Sequence, residues 1–387
     1  MSQIHHLPPP LPAAYRALPQ RSVNERLAQS AALAPNSAMT EAATALGMTH
    51  GDLARYLSGA IPEFAGLRSV SKFGTGQSNP TYQLDADSGI YVLRSKPPGV
   101  LLPSAHAVER EFRVMAALAD TAVPVPEVLH LADAADSPSG RAFFVMRFLP
   151  GRIFWDPALP DLRAPDRAEI YDAMNAALAA LHDVDVTAVG LADYGKPGNY
   201  FARQLDRWRG QYLACVAVPD PAMVAIIDWL GAQMPAEDRR VALVHGDWRL
   251  DNMIFDAHAP QIAAVLDWEL STLGHPMADL AYQCMQWRLP NHGDMRGLGG
   301  IDRAKMGLPT EAEYVAAYAR RRGLGQIDDW PFYLVFAFFR LAAILAGVAS
   351  RAAAGNASNP DMARKYGAAV PVLADMALGV MRDGVDG

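Results

Sequence analysis

The run Val244-His245-Gly246-Asp247-Trp248-Arg249-Leu250-Asp251-Asn252 is followed, beyond a short apolar stretch, by Leu266-Asp267-Trp268-Glu269. Two carboxylates and an amide stand close together in this span, and their hard oxygens suit the movement of a phosphoryl group from a nucleotide to a hydroxyl. That reaction asks a protein mainly to orient the acceptor and neutralise phosphate charge. Asp247 is suited to orient the attacking hydroxyl and accept its proton. Asn252 and Asp267 are suited to hold Mg2+, which takes a few carboxylate or amide oxygens and completes its shell with phosphate and water. His245-Gly246-Asp247 alone would equally suit a turn whose aspartate caps the next helix; adding Asn252 and Asp267 favours the chemical reading.

Several elements must position these side chains. Apolar Val241–Val244 leads into the first motif and Ile262–Leu266 into the second, and both read as short buried strands. If the two strands pair with each other, Asp247 and Asp267 converge on one mouth. Upstream, Phe73-Gly74-Thr75-Gly76-Gln77-Ser78-Asn79-Pro80-Thr81-Tyr82 reads as a glycine-rich hairpin, in which glycines let backbone amides approach phosphate oxygens. A strand rather than a helix follows it, which disfavours a dinucleotide-binding turn, and no Gly-Lys-Ser/Thr loop is present. Ile90–Arg94 is β-rich. Ala107–Leu118 is an amphipathic helix with Val108, Phe112, Met115 and Leu118 on one face and Glu111 beside them, able to turn toward the sheet. Ala142–Gly151 reads as a strand running into a Pro-Gly break, the link between two parts of the site.

His245-Gly246-Asp247 with Asn252, then Asp267-Trp268-Glu269, resembles the aminoglycoside phosphotransferase and choline kinase group of the protein-kinase-like fold. More narrowly, residues 73–82, Tyr91–Gly99 and Phe336–Arg340 resemble the kinase-like domain associated with acyl-CoA dehydrogenases, over a stretch from about residue 50 onward. The resemblance implies an α+β, two-lobed fold with a small antiparallel-sheet N-lobe and a mainly helical C-lobe. The expected divisions are a flexible tail over 1–48, an N-lobe over 49–150 and a C-lobe over 151–387. It further implies that Asp247 is catalytic, that Asn252 and Asp267 bind Mg2+, and that Gly74, Gly76, Ser78, Asn79 and Arg94 engage the nucleotide. Arg94 takes the position of the fold's strand lysine and Glu111 that of its helix partner, while backbone groups around Met146 to Phe148 hold the base. Arginine is a departure there, being planar and forked rather than a compact point charge; Lys96 is the fallback. The expected donor is ATP, or GTP, and the expected acceptor a small-molecule hydroxyl, with a hydroxyacyl-CoA suggested by the subgroup.

Composition narrows the classes. The chain has 387 residues, 51% hydrophobic and 19% charged, enough for two lobes with separate cores. A net charge of −7 gives no basic field for nucleic acid. Cys215 and Cys284 are the two cysteines and lack metal-type spacing, so a disulfide scaffold is not expected and a reducing cytoplasm is. Tyr333–Ala349 is apolar but short for a bilayer and centred on Arg340, so it is expected to be a buried helix rather than a membrane span. No second domain of flavin-dehydrogenase length accompanies the kinase-like part. Dehydrogenase activity is therefore not expected, although the resemblance implies a functional link to an acyl-CoA dehydrogenase. Arg203, Arg207, Trp208 and Arg209, with Trp287 and Arg288, suit an acidic acceptor but equally a solvated helix face. Asp279 is expected to hydrogen-bond catalytic-loop amides. Two other classes stay open: a nucleotide-binding regulatory module with impaired catalysis, suggested by Arg94, and a metallohydrolase using His245 and Asp247, which lacks a nearby histidine-rich complement.

Overall fold

The computed structural model describes residues 46–74, 79–99, 106–236, 240–293, 296–353 and 360–384. The first lobe contains α1 (His50–Ala60), β1 (Leu67–Lys72), β2 (Thr81–Ala86), β3 (Gly89–Ser95), α2 (Val108–Leu118), β4 (Val128–Ala132) and β5 (Phe143–Arg147). Its five strands form one antiparallel sheet in the order β1-β2-β3-β5-β4. The strand alternation sorts its side chains between two cores. Leu93, Phe143 and Val145 pack with Leu53 and Leu57 of α1, whereas Phe144 joins Val108 and Met115 of α2 on the opposite face. Thr49 caps α1 by accepting a hydrogen bond from the Asp52 amide at 3.1 Å. Leu46 and Met48 are already buried in the α1 core, so the lobe reaches further toward the N-terminus than the expected boundary at 49. Two apolar side chains are too few to show a periodicity. Residues 1–45 of the expected tail lie outside the described residues.

The second lobe is mainly helical, with α3 (Ala164–His182), α4 (Tyr200–Cys215), α5 (Pro221–Ala232), β6 (Ala242–Val244), β7 (Met253–Phe255), β8 (Ile262–Val265), β9 (Thr272–Gly274), α6 (Met277–Cys284), α7 (Arg303–Met306), α8 (Glu311–Arg321), α9 (Trp330–Ala353) and α10 (Pro360–Asp383). The expected pairing of the two motif-bearing strands does not occur. β6 pairs with β9 and β7 with β8, each antiparallel. Short apolar strands carry no register of their own, so their partners follow from the turns that join them. α9 is long and apolar enough to cross a membrane, yet 78% of its most apolar window is buried within the protein and Arg340 is buried with it. As expected, this helix forms part of the lobe's core.

The lobes are joined where β5 runs into Phe148-Leu149-Pro150-Gly151. Arg152 and Phe255 exchange two backbone hydrogen bonds of 2.8 Å, fastening the linker to β7. A Cβ at Gly151 would lie 2.3 Å from the Phe255 carbonyl oxygen, so only glycine permits this approach.

Candidate active site

A cleft of about 440 Å3 opens between the lobes, a size suited to a small-molecule ligand. Gly74, Arg94, Glu111, Met146 and Phe148 border it from the first lobe, and Ile254, Leu266 and Asp267 from the second. Half-exposed Trp155 flanks the mouth. Gly76 and Ser78 lie outside the described residues. The Phe148 amide donates to the Ile90 carbonyl at 3.3 Å and the Arg147 amide to that of Glu127 at 2.9 Å. The backbone donor available to a base in this cleft therefore shifts one residue, to Leu149, which also borders it.

Arg94 stands on β3 opposite Thr81 and Phe144, and its forked guanidinium spans both lobes. Its Nε lies 3.0 Å from Glu111 Oε2 and a terminal nitrogen 2.6 Å from Asp267 Oδ1. Asn79, expected among the nucleotide-binding residues, is turned to Glu111: its buried amide donates to Oε1 at 2.8 Å, and its own oxygen meets His106 Nδ1 at 3.0 Å. Burial pushes the Glu111 carboxyl up to about 7; Arg94 opposes this, while Asp267 and Glu269 add to it. One guanidinium serves two carboxylates here, so neither ion pair is complete. Lys96 is engaged elsewhere, 2.5 Å from Glu109, and does not border the cleft.

The catalytic-loop motif is held from behind by Asp279, which sits fully buried on α6. Its carboxylate accepts from the His245 amide at 2.6 Å and the Gly246 amide at 2.8 Å, as expected from the sequence. His182 reaches the same carboxylate through Nε2 at 3.3 Å and meets the Tyr318 hydroxyl through Nδ1 at 2.6 Å. Gly246 has φ +84, and a Cβ there would lie 2.7 Å from the Leu270 carbonyl oxygen. The His245 ring packs on Trp268 at 4.7 Å and its Nε2 meets the Leu266 carbonyl at 2.8 Å. The Leu266 amide in turn donates to the Asn252 carbonyl at 2.8 Å. These two ties join the motifs and stand in for the strand pairing that the sequence suggested.

Asp247 is encircled by donors. Arg249 grips both its oxygens, at 3.0 and 3.2 Å, Asn252 Nδ2 donates to Oδ2 at 2.9 Å, and the Tyr282 hydroxyl is a further partner. Burial raises the Asp247 pKa, but Arg249, His245, Tyr282 and Asn252 together outweigh it and hold the carboxyl below its ordinary value. Arg249 lies two residues beyond Asp247, and Tyr282 one helical turn beyond Asp279. Neither was singled out from the sequence; the loop spacing of Arg249 was the one available signal, while the contact of Tyr282 is made across the fold.

The residues expected to bind metal suit Mg2+. Asn252 Nδ2 is pinned by the Asp247 carbonyl and carboxylate, both at 2.9 Å, which leaves its amide oxygen facing elsewhere. Asp267 gives one oxygen to Arg94 and keeps the other, in a left-handed backbone conformation with φ +64. Such a conformation in a non-glycine residue stores strain and is characteristic of functional positions. An amide oxygen and a carboxylate oxygen form a donor set that Mg2+ accepts alongside nucleotide phosphates.

Residues 69–334 match the family described as "Phosphotransferase enzyme family". The mouse protein "Acyl-CoA dehydrogenase family member 10" is 45% identical over 327 residues, which are 84% of this chain and 30% of that protein; the chain thus spans about a third of this relative's length. Among solved structures, a candidate aminoglycoside phosphotransferase of Ralstonia eutropha JMP134 superposes with a TM-score of 0.77 at 45% identity, covering 85% of this chain and 97% of that one. A thermostable mutant of aminoglycoside phosphotransferase APH(4)-Ia, in a ternary complex with AMP-PNP and hygromycin B, shares the fold at a TM-score of 0.55 and 17% identity, covering 85% and 99% of the two chains. With two thirds of its length inside the family's match and a lobed α+β architecture to go with it, the chain belongs to the phosphotransferase enzyme family.

Proposed function

We propose that this protein transfers the γ-phosphoryl group of ATP, as its Mg2+ complex, to the hydroxyl of a small molecule. The observation that carries the reading is the pair of ties joining the two motifs. Through His245 and Asn252 they tie the loop that carries Asp247 and Asn252 to Leu266 and Asp267, which border the interlobe cleft. Asp247 orients the acceptor hydroxyl and takes its proton late, as the bond between the γ-phosphorus and the leaving ADP loosens. Arg94, braced by Glu111, grips phosphate oxygens with the forked geometry of a guanidinium. Asn252 and Asp267 would hold Mg2+, which would neutralise phosphate charge. Leu149 presents its amide to the base. GTP is the alternative donor.

The acceptor class to test first is a hydroxyacyl-CoA, which rests on the names of the relatives and on a cluster of arginines in the second lobe. A screen of phosphate transfer from ATP to hydroxyacyl-CoAs, amino alcohols and aminoglycosides tests this reading. Product from at least one acceptor, dependent on Mg2+, is expected; ATP turnover that no acceptor accelerates would contradict it. A second reading, a nucleotide-binding regulatory module, takes its support from the two-pronged Arg249 contact on Asp247 and from Arg94 in place of lysine. It predicts nucleotide binding without transfer to any acceptor.

A further inference from the structure

Arg340 sits midway along α9, only 7% exposed. Among the described residues no carboxylate, carbonyl or hydroxyl accepts a hydrogen bond from its guanidinium. Its neighbours are aromatic faces: its Cζ lies 5.4 Å from the Tyr282 ring centroid and 5.7 Å from that of Trp208. Two π faces attract a cation but accept none of its five directed N–H donors in the way an oxygen does, so a buried arginine with this surrounding is left short of acceptors. Its nitrogens are not sealed from solvent, because none is among the fully enclosed polar atoms that lack a partner.

The position of this vacant donor set matters. Tyr282 carries the hydroxyl that meets Asp247, so a single tyrosine ring separates Arg340 from the carboxylate that would receive the acceptor hydroxyl. Trp208 is shared with a second cation, since exposed Arg207 stacks over the same indole at 5.0 Å. Burial pushes the nearby Tyr200 hydroxyl up to about 12 against the pull of Arg340, Arg207 and Arg203, which places all three cations on that side of the lobe. The carboxylates closest to the catalytic loop are already committed, Asp279 to His182 and two amides, and Asp247 to Arg249 and Asn252.

We propose that Arg340 is the anion-holding residue of the acceptor site: the acceptor carries a carboxylate or phosphate that seats on this guanidinium while its hydroxyl meets Asp247. The proposal rests on the phosphotransferase reading above, and it selects for acidic acceptors over neutral sugars. Arg203 and Arg207 extend the positive surface outward from it and would meet additional phosphates of a larger acceptor.

The test is calorimetric binding, in the presence of ADP and Mg2+, of three matched probes: 3-hydroxybutyrate, 3-hydroxybutyryl-CoA and methyl 3-hydroxybutyrate. Wild type, Arg340→Met and Arg340→Lys are compared, with thermal unfolding confirming that each variant folds. Binding of an anionic probe should weaken about ten- to hundredfold in Arg340→Met and be partly kept in Arg340→Lys, with the ester unaffected. Loss confined to the free acid identifies a carboxylate, and loss confined to the thioester identifies a coenzyme phosphate. The proposal is overturned if the wild type binds neither anion more tightly than the ester, or if Arg340→Met binds all three as the wild type does. ADP binding measured on the same samples reports separately on the phosphotransferase reading, which fails if the wild type does not bind nucleotide.

Discussion

Two arginine–carboxylate clusters make up the candidate site, and they are built in opposite ways. Arg94 draws its partners from far along the chain: Glu111 on a helix of its own lobe and Asp267, 173 residues away, in the other. Arg249 is local, pairing with Asp247 two residues before it. The first cluster depends on how the lobes close and has a guanidinium divided between two carboxylates. The second is fixed by a single loop, itself anchored by buried Asp279. An interaction spanning two lobes can respond to nucleotide, whereas a loop-bound one serves to keep a catalytic group in a single geometry.

If that contrast holds, substitutions in the two clusters should separate chemistry from binding. Asp247→Asn should lower the turnover of any accepted substrate by about 10²- to 10⁴-fold while nucleotide binding changes little. Steady-state kinetics alongside calorimetry would show this, and wild-type turnover in Asp247→Asn would remove the proposed catalytic role. Asp279→Ala should be the most damaging change to the scaffold. It strips the partner from two buried amides and from His182, an expected loss of about 3 to 5 kcal/mol in denaturant unfolding. An unchanged midpoint would mean that the loop is anchored by other contacts.

Arg94→Met should weaken ATP binding by about ten- to hundredfold, with Arg94→Lys retaining part of it because a point charge keeps attraction but loses the fork. Equal losses in the two variants would argue that charge alone matters. The smallest effect concerns pH. Glu111 is raised from 4.5 to about 7 in the fold, so the folded state binds this proton more tightly than the unfolded one. Its contribution to stability is therefore full below about 4.5 and falls away as the pH rises to about 7. Glu111→Gln should abolish that part of the pH dependence, and a variant that still follows the wild-type slope in this window would show that another group titrates.

Much of this could be read before any coordinates, because the chemistry is carried by residue types in fixed order. That Asp247, Asn252 and Asp267 lie near one another was legible from their order along the chain, and the turn of Glu111 toward Arg94 from the periodicity of its helix. The strand pairing was not legible: β6 and β8 are three and four residues long, and an apolar run of that length fits any neighbour. Tyr282 and Arg340 were equally hidden, since what matters about them is a contact between helices distant in sequence. The Asn79–Glu111 contact was hidden for a related reason, since it joins a turn to a helix 32 residues further along the chain.

The central claim is that Asn252 and Asp267 share a divalent ion with a nucleotide triphosphate. Titration of ATP into the protein with and without Mg2+, for wild type and Asp267→Ala, tests it most directly. Tight binding that requires Mg2+ in the wild type, and loses that requirement together with most of its affinity in Asp267→Ala, is the predicted result; the same magnesium dependence in both proteins would contradict it.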